Sequence, residues 1–184
     1  DVLVTVRRSM MHSEETYLLA GQDGREIWGR QRQISQRGVG GTSFAVADFD
    51  GDGLDDAASF HPSLFYILKG GSGVDVLAKD ATWDPVPPKP LYWGRPVAVR
   101  LDPAAPASVF MAGTSMTALV DRDGLLRWWD ALDKSQATFA FGDLSGDGLK
   151  RAIGAGYEDG IRCYDVQTGK VEWRLPLPVP GTPV

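Results

Sequence analysis

A repeat of about 45 to 50 residues constrains the fold of this chain more than any other feature. Three segments share a glycine that is followed four residues later by a tryptophan: Gly24 and Trp28, Gly124 and Trp128, Gly169 and Trp173. A fourth segment, SGVDVLAK, contains Gly73 and has Leu77 at the tryptophan position. Repeats of this length are typical of stacked structural units such as propeller blades.

Short runs of alternating polar and apolar residues flank each of these glycines, for example IRCYDV and KVEWRL around Gly169. This pattern predicts a hairpin whose turn needs a residue free to adopt a positive φ. Two more strand-like runs precede three of the hairpins, as in TSFAVADF and DAASFHP. In SEETYLLAGQDG, Ser13 followed by acidic residues resembles a helix capping box, but the place of this segment before the Gly24 turn favours a loop and a strand. Four strands per repeat predict an all-β chain, a β-propeller of four-stranded blades.

The repeat also predicts the blade boundaries. The terminal VPGTPV resembles VGGTSF, which leads into a first strand. The predicted units are a blade lacking its first strand (1–39), a blade with an Asp-rich loop and a Pro/Trp-rich linker (40–91), a blade (92–134), a blade with a degenerate loop (135–178), and the first strand of a further blade or the closure of the first (179–184). We expect either a ring closed by that last strand, within or between chains, or a segment of a larger propeller.

DFDGDGLDD, residues 48–56, concentrates five aspartates in nine residues. Carboxylates that faced only each other and water would repel one another and destabilise the turn. A hard cation removes this repulsion, and Ca²⁺ accepts six to eight oxygen ligands in irregular geometry. Alternate positions of a tight loop turn inward, and glycines allow the sharp bend. The predicted calcium ligands are Asp48, Asp50, Asp52, the Leu54 carbonyl and Asp56, with Asp55 pointing away.

Two family resemblances follow from these motifs. FAVADFDGDGLDDAA is similar to the FG-GAP or VCBS-type repeat, the calcium-loop propeller repeat of integrin α-subunit heads and many bacterial surface proteins. That resemblance implies the same five ligands at one rim of a propeller. YDVQTGKVEWRL resembles the outer hairpin of quinoprotein-type (PQQ-type) repeats, in which a recurring tryptophan docks one blade onto the next. We therefore expect Trp28, Trp128 and Trp173 to pack between blades.

Ninety-five residues after the first Asp loop, DLSGDGLKR repeats its frame with changed chemistry. Asp143 and Asp147 remain, but Ser145 replaces the aspartate at the third position of the loop and Arg151 the aspartate at the ninth position. We expect the guanidinium to pair with Asp143 or Asp147 in bidentate fashion and to replace a metal ion. The corresponding stretch of the third blade, LDPAAPAS, retains only Asp102 and is expected to bind no ion.

Charge and composition exclude some classes of partner. The net charge of −5 and the absence of a basic stripe argue against nucleic acid. No apolar run approaches the roughly 20 residues of a membrane span. The single cysteine, Cys163, lies in an apolar run and is predicted to be an inert buried thiol. It allows no intrachain disulfide, which fits a reduced compartment and equally a secreted protein stabilised by calcium.

The Pro-rich stretch KDATWDPVPPKPLYWGRP has two open interpretations. Trp83, Tyr92 and Trp93 either fold under a rigid linker between blades or form an exposed aromatic platform for sugars or a protein.

The function that these features favour is that of a non-catalytic, calcium-stabilised propeller module of a secreted or cell-surface protein. Such a module would bind a protein or carbohydrate, or further blades or copies of itself, in an extracellular, cell-surface or periplasmic location. No residue set combines a nucleophile, a base and an orienting group, so we assign no catalytic residue. The alternative is a propeller portion of a quinone-dependent dehydrogenase, whose adjacent-cysteine disulfide one cysteine cannot form, or of a polysaccharide lyase or hydrolase.

Overall fold

The computed structural model describes residues 1–8, 13–33, 43–61, 64–80, 95–112, 116–131, 138–148, 150–156 and 160–176. Over these residues the chain forms strands and turns, so the all-β prediction is confirmed. SEETYLL is a strand, as expected. Within the same ranges no helix is long and apolar enough to cross a membrane.

The strands form four antiparallel sheets in chain order, and in each sheet neighbours along the chain are also neighbours in space. The first sheet contains β1 (Val2–Arg8), β2 (Ser13–Leu19) and β3 (Glu26–Gln33). The second contains β4 (Ala45–Ala47), β5 (Asp56–His61), β6 (Leu64–Leu68) and β7 (Asp75–Asp80). The third contains β8 (Val97–Val99), β9 (Ser108–Ala112), β10 (Met116–Val120) and β11 (Leu126–Ala131). The fourth contains β12 (Thr138–Gly142), β13 (Arg151–Gly156), β14 (Gly160–Asp165) and β15 (Val171–Leu175).

The repeated glycine turns the last hairpin of every sheet. Its φ is positive in all four copies, at 70°, 66°, 72° and 72° for Gly24, Gly73, Gly124 and Gly169. The register of the last strand pair shifts by a residue beside each turn. The shared turn explains why the glycine recurs, because a residue with a Cβ would be strained in this conformation.

The core lies between consecutive sheets, at three contacts that we call seams. Trp28 and Leu18 of the first sheet pack with Tyr66 and Leu68 of the second. Residues of the second and third sheets share the largest cluster, which includes Phe49, Phe65, Val109 and Met116. Phe110 and Leu119 of the third sheet pack with Tyr164 and Val166 of the fourth. Each large side chain buried in this way contributes about 1.5 to 3 kcal/mol.

At two of these seams a tryptophan ring packs against the repeated glycine of the next sheet, as the sequence predicts. A Cβ at Gly73 would lie 2.5 Å from the Trp28 ring, and a Cβ at Gly169 would overlap the Trp128 ring. The Trp28 indole N–H donates to the Gly70 carbonyl at 2.7 Å. The Trp128 indole N–H donates to the Val166 carbonyl at 2.9 Å. We call this pair of interactions the docking contact.

In the second and fourth sheets, the residues at the tryptophan position of the repeat are Leu77 and Trp173. At the seam between the second and third sheets, Leu77 takes the tryptophan's place and lies against Gly124. Trp173 of the fourth sheet is different, since 44% of its surface is exposed. The predicted interblade packing is therefore confirmed for Trp28 and Trp128, while Trp173 presents its ring to solvent.

Candidate metal centre

The Asp loop connects β4 to β5, and its backbone is bent around its own carboxylates. Gly51 and Gly53 both have a φ of +86°. Asp48 accepts hydrogen bonds from the backbone N–H of Gly51 at 2.6 Å and of Gly53 at 3.0 Å. These bonds hold the Asp48 carboxylate inside the loop, which is the inward orientation predicted from the alternate spacing.

Three of the predicted ligands come together. Ligand oxygens of Asp48, Asp50 and Asp56 lie within 4.8 Å of one another. Calcium–oxygen distances of about 2.3–2.6 Å allow two ligands on opposite sides of an ion to be up to about 5 Å apart. An all-oxygen donor set is also the kind that Ca²⁺ prefers. The chemistry and spacing of these three carboxylates thus fit a calcium ion.

Asp56, the first residue of β5, is the buried member of this set, with 1% of its surface exposed. Its Oδ2 accepts the N–H groups of Phe49 and Asp50 at 3.0 and 3.2 Å. Its Oδ1 accepts the Gly70 N–H at 3.0 Å and so ties the loop to the turn between β6 and β7. Burial raises the pKa of Asp56, although these backbone donors oppose the shift. A nearby cation would favour the ionised form.

Asp52 and Leu54 lie beside this cluster. The Asp52 Oδ1 accepts the Leu54 N–H at 2.9 Å, and its Oδ2 lies 2.7 Å from the Lys69 ammonium. This ammonium lowers the pKa of Asp52. The Leu54 side chain projects into solvent, as does Asp55. Asp52 therefore faces a lysine here, while its role as a metal ligand remains a prediction.

Lys69 is the site residue that sequence reasoning missed. Its ammonium also donates to the Asp50 Oδ2 at 2.8 Å, so it bridges two predicted ligands. Hydrogen bonds to the two carboxylates raise the pKa of Lys69 above its usual range. The sequence contains no signal for it, because the four repeats share no chemistry at this position, four residues before the glycine: Ala20, Lys69, Val120 and Asp165.

A cavity of about 450 Å³ opens beside the loop, between the first and second sheets. Its walls are mainly apolar, with Asp55 and Asp56 at one side. Residues that line it include Leu18, Ile27, Trp28, Val46 and Leu54. A concave apolar wall with a few polar groups is the usual form of a ligand site.

The second loop, between β12 and β13, contains its own cation. The Arg151 guanidinium binds both oxygens of Asp147, at 2.8 and 2.7 Å. Its Nε also donates to Glu172 on β15 at 2.7 Å. The bidentate pairing predicted for Arg151 is confirmed with Asp147, and Asp143 instead accepts the N–H groups of Asp147 and Gly148. In the third sheet, Asp102 accepts the Ala104 N–H.

Two other predicted features have different outcomes. Cys163 is buried, as expected, and burial raises the pKa of its thiol. The aromatic residues Trp83, Tyr92 and Trp93 lie outside the described residues, so both interpretations of that stretch remain predictions.

Comparison with known proteins shows the fold. No protein-family model matches the chain, and no curated protein does. The V. cholerae biofilm matrix protein Bap1 superposes with a TM-score of 0.60 and 17% identity, over 94% of this chain and 26% of that chain. BamB from Moraxella catarrhalis superposes with a TM-score of 0.53 and 15% identity, over 94% of this chain and 48% of that chain.

A third structure is the quinohemoprotein alcohol dehydrogenase ADHIIG from Pseudomonas putida, with a TM-score of 0.53 and 12% identity over 90% of this chain and 32% of that chain. This chain therefore spans about half or less of each of these proteins. At such low identity the likeness concerns the fold alone. It confirms the predicted β-propeller fold.

Proposed function

We propose that this chain is a calcium-stabilised, non-catalytic β-propeller module with an FG-GAP/VCBS-type loop. The observation that carries this proposal is the convergence of Asp48, Asp50 and Asp56, whose ligand oxygens lie within 4.8 Å of one another. Asp52 and the Leu54 carbonyl complete the proposed ligand set. A calcium ion there neutralises the carboxylates and fixes a loop that Asp56 already ties to the neighbouring turn at Gly70.

Binding of calcium at this site involves competition with Lys69. The ammonium occupies the Asp50 and Asp52 oxygens, at 2.8 and 2.7 Å. An ion that takes these two ligands displaces the ammonium into solvent, where 37% of the Lys69 side chain already lies. We therefore expect a modest affinity, in the range of about 10⁻⁴ to 10⁻³ M that extracellular calcium modules show.

The proposed role is to bind a protein or carbohydrate in an extracellular, cell-surface or periplasmic setting. The apolar cavity next to the loop supports this role, because calcium would fix the Leu54 and Asp55 portion of its wall. One structural neighbour, Bap1, is a biofilm matrix protein, which agrees with such a location. Propellers present loops of this kind on a stiff scaffold.

Thermal unfolding in calcium and in chelator tests the proposal. Wild type is expected to unfold at a higher temperature in calcium, since an ion that binds only the folded state stabilises it by mass action. Asp50→Ala should remove this difference, because it deletes one of the three converging carboxylates and leaves no oxygen in its place. Asp55→Ala is the matched control: it removes an exposed carboxylate of the same loop that is not a predicted ligand, and it should respond as wild type does. A full calcium response in Asp50→Ala would overturn the assignment.

A further inference from the structure

Gly70 lies between the proposed calcium loop and the first sheet and is hydrogen-bonded to both. Its N–H donates to the Asp56 Oδ1 at 3.0 Å. Its carbonyl accepts the Trp28 indole N–H at 2.7 Å. A single residue of the turn between β6 and β7 therefore joins a predicted metal ligand of the second sheet to the tryptophan that packs against this sheet from the first.

The turn around Gly70 is held by Trp28 at two points. Besides the hydrogen bond to Gly70, the indole ring lies against Gly73, where a Cβ would come within 2.5 Å of it. The Gly73 N–H donates to the Lys69 carbonyl at 2.7 Å. This carbonyl belongs to the same planar peptide unit as the Gly70 N–H. The position of Gly73 under the ring therefore helps to fix the direction in which the Gly70 N–H points, which is toward Asp56.

The close approach of the turn to the loop requires glycine at position 70. A Cβ there would lie 1.9 Å from the Asp55 carbonyl oxygen, so any side chain would push the turn away from the loop. Asp56 would then lose the donor to its Oδ1. Its Oδ2 accepts the N–H groups of Phe49 and Asp50, so a rotation of this carboxylate would also disturb the loop itself.

The fourth sheet makes the same connection without a loop carboxylate. Arg151 stands at the ninth position of its loop, and Val166 stands three positions before the repeated glycine. The Val166 carbonyl accepts the Trp128 indole N–H at 2.9 Å, and the Val166 N–H donates to the backbone carbonyl of Lys150 at 3.0 Å. The turn and the loop are thus joined there through a backbone hydrogen bond, whereas the first seam uses the side chain of a predicted metal ligand.

We propose that Trp28 is a positioning residue for the calcium site: it holds Gly70, and Gly70 orients the Asp56 carboxylate toward the ion. This inference rests on the proposed function, because it concerns the same ion. Outer-shell hydrogen bonds orient the ligands of a metal and raise its affinity. By linkage, calcium stabilises the docking of Trp28 as much as that docking raises the affinity for calcium. The ion therefore tightens the contact between the first and second sheets as well as its own loop.

Calcium titration of the ¹⁵N-labelled chain, followed by NMR at the Gly51 and Gly53 amides, tests this inference. Trp28→Phe removes the indole donor and keeps an aromatic ring, and it should weaken calcium binding by at least roughly fivefold. Trp128→Phe is the matched control: it removes the same hydrogen bond at the seam between the third and fourth sheets and should bind calcium as wild type does. Both variants should unfold at a lower temperature in chelator, so a general loss of stability does not predict this difference.

Exchange of the indole N–H groups with solvent tests the reverse direction in the wild-type chain, and it decides the matter if Trp28→Phe does not fold. Calcium should slow the exchange of the Trp28 indole N–H by at least roughly fivefold, and by more than that of Trp128. The reason is that the ion favours the docked state of the first seam over its locally opened state.

The outcomes separate this inference from the proposed function. If wild type binds calcium and Trp28→Phe binds it equally well, the inference is wrong and the calcium site stands. Equal weakening in Trp128→Phe, or equal slowing of both indole N–H groups, would also overturn the inference, since the effect would then belong to the whole fold. If calcium shifts no signal of the loop in wild type, the proposed function is wrong and the inference falls with it.

Discussion

The ammonium of Lys69 lies 2.7 Å from the Oδ2 of Asp52, inside the loop that the sequence assigns to calcium. Both Asp loops of this chain therefore contain a cationic side chain, since Arg151 holds Asp147 in the second. The two cations differ in burial: Arg151 is buried, and Lys69 is partly exposed. Displacement of Lys69 by an ion is accordingly the easier of the two, and the first loop is the one that we expect to respond to calcium.

Lys69→Gln is expected to increase calcium affinity by roughly two- to fivefold, the effect of removing an exposed ion pair. In chelator the variant should unfold at a lower temperature than wild type, because the carboxylates then repel one another without a partner. Calorimetric titration with calcium measures the first effect and thermal unfolding the second. Lys170→Gln, which neutralises an exposed lysine of the fourth sheet, should change neither. Unchanged affinity in Lys69→Gln would mean that the ammonium does not compete with the ion.

Arg151→Asp is expected to create a second metal site, because it places a carboxylate beside Asp143 and Asp147. Without calcium the variant should unfold at least roughly 5 °C below wild type, since it breaks a buried ion pair with Asp147 and Glu172. Native mass spectrometry in calcium counts the ions. Arg151→Leu controls for loss of the guanidinium alone and should gain no ion. If Arg151→Asp binds no more calcium than wild type, the view of Arg151 as a substitute for a metal ion is wrong.

Gly169→Ala and Gly146→Ala separate the docking contact from backbone strain. The two glycines have similar φ values, +72° and +69°, so each substitution costs about 1–2 kcal/mol of unfolding free energy from conformation. A Cβ at Gly169 also collides with Trp128, whereas a Cβ at Gly146 meets nothing within 4 Å. Urea denaturation should therefore show an additional loss of about 1–3 kcal/mol for Gly169→Ala. Equal losses would show that the tryptophan does not press on this glycine.

Tyr164 is expected to make the free energy of unfolding depend on pH in the alkaline range. Burial raises its pKa, and its hydroxyl donates to Asp130 at 2.9 Å. The unfolded phenol ionises first, so above about pH 10 the unfolded state binds fewer protons and stability falls as pH rises. Urea denaturation at about pH 9 and about pH 11 measures this slope. Tyr164→Phe, which has no ionisable group there, should lose stability less steeply than wild type.

The fold was largely predictable because single residues in each repeat determine the turns and the contacts between sheets. Gly24 and its three equivalents mark turns that need positive φ, and Trp28 and Trp128 mark the seams. These are local requirements, so spacing alone revealed them. The inward-facing Asp48 was predictable for the same reason, as the glycines that bend its loop lie within five residues of it.

What the sequence did not reveal depends on contacts between distant parts of the chain. Lys69 reaches Asp50 across nineteen residues, and only the antiparallel pairing of β5 with β6 brings them together. Glu172 accepts a hydrogen bond from Arg151 across twenty-one residues, and the pairing of β14 with both β13 and β15 brings them together. The exposure of Trp173 was also hidden, because Trp173 and Trp128 stand at the same position of the repeat, four residues after its glycine.

Native mass spectrometry of the chain in calcium, with Asp48→Ala alongside, tests the central claim most directly. At about 1 mM calcium, within the range of the expected dissociation constant, the account predicts one specifically bound ion per wild-type chain and none in Asp48→Ala, because that aspartate is one of three carboxylates that converge in the loop. Wild-type chains without bound calcium would contradict it, as would an ion that persists when Asp48 is replaced.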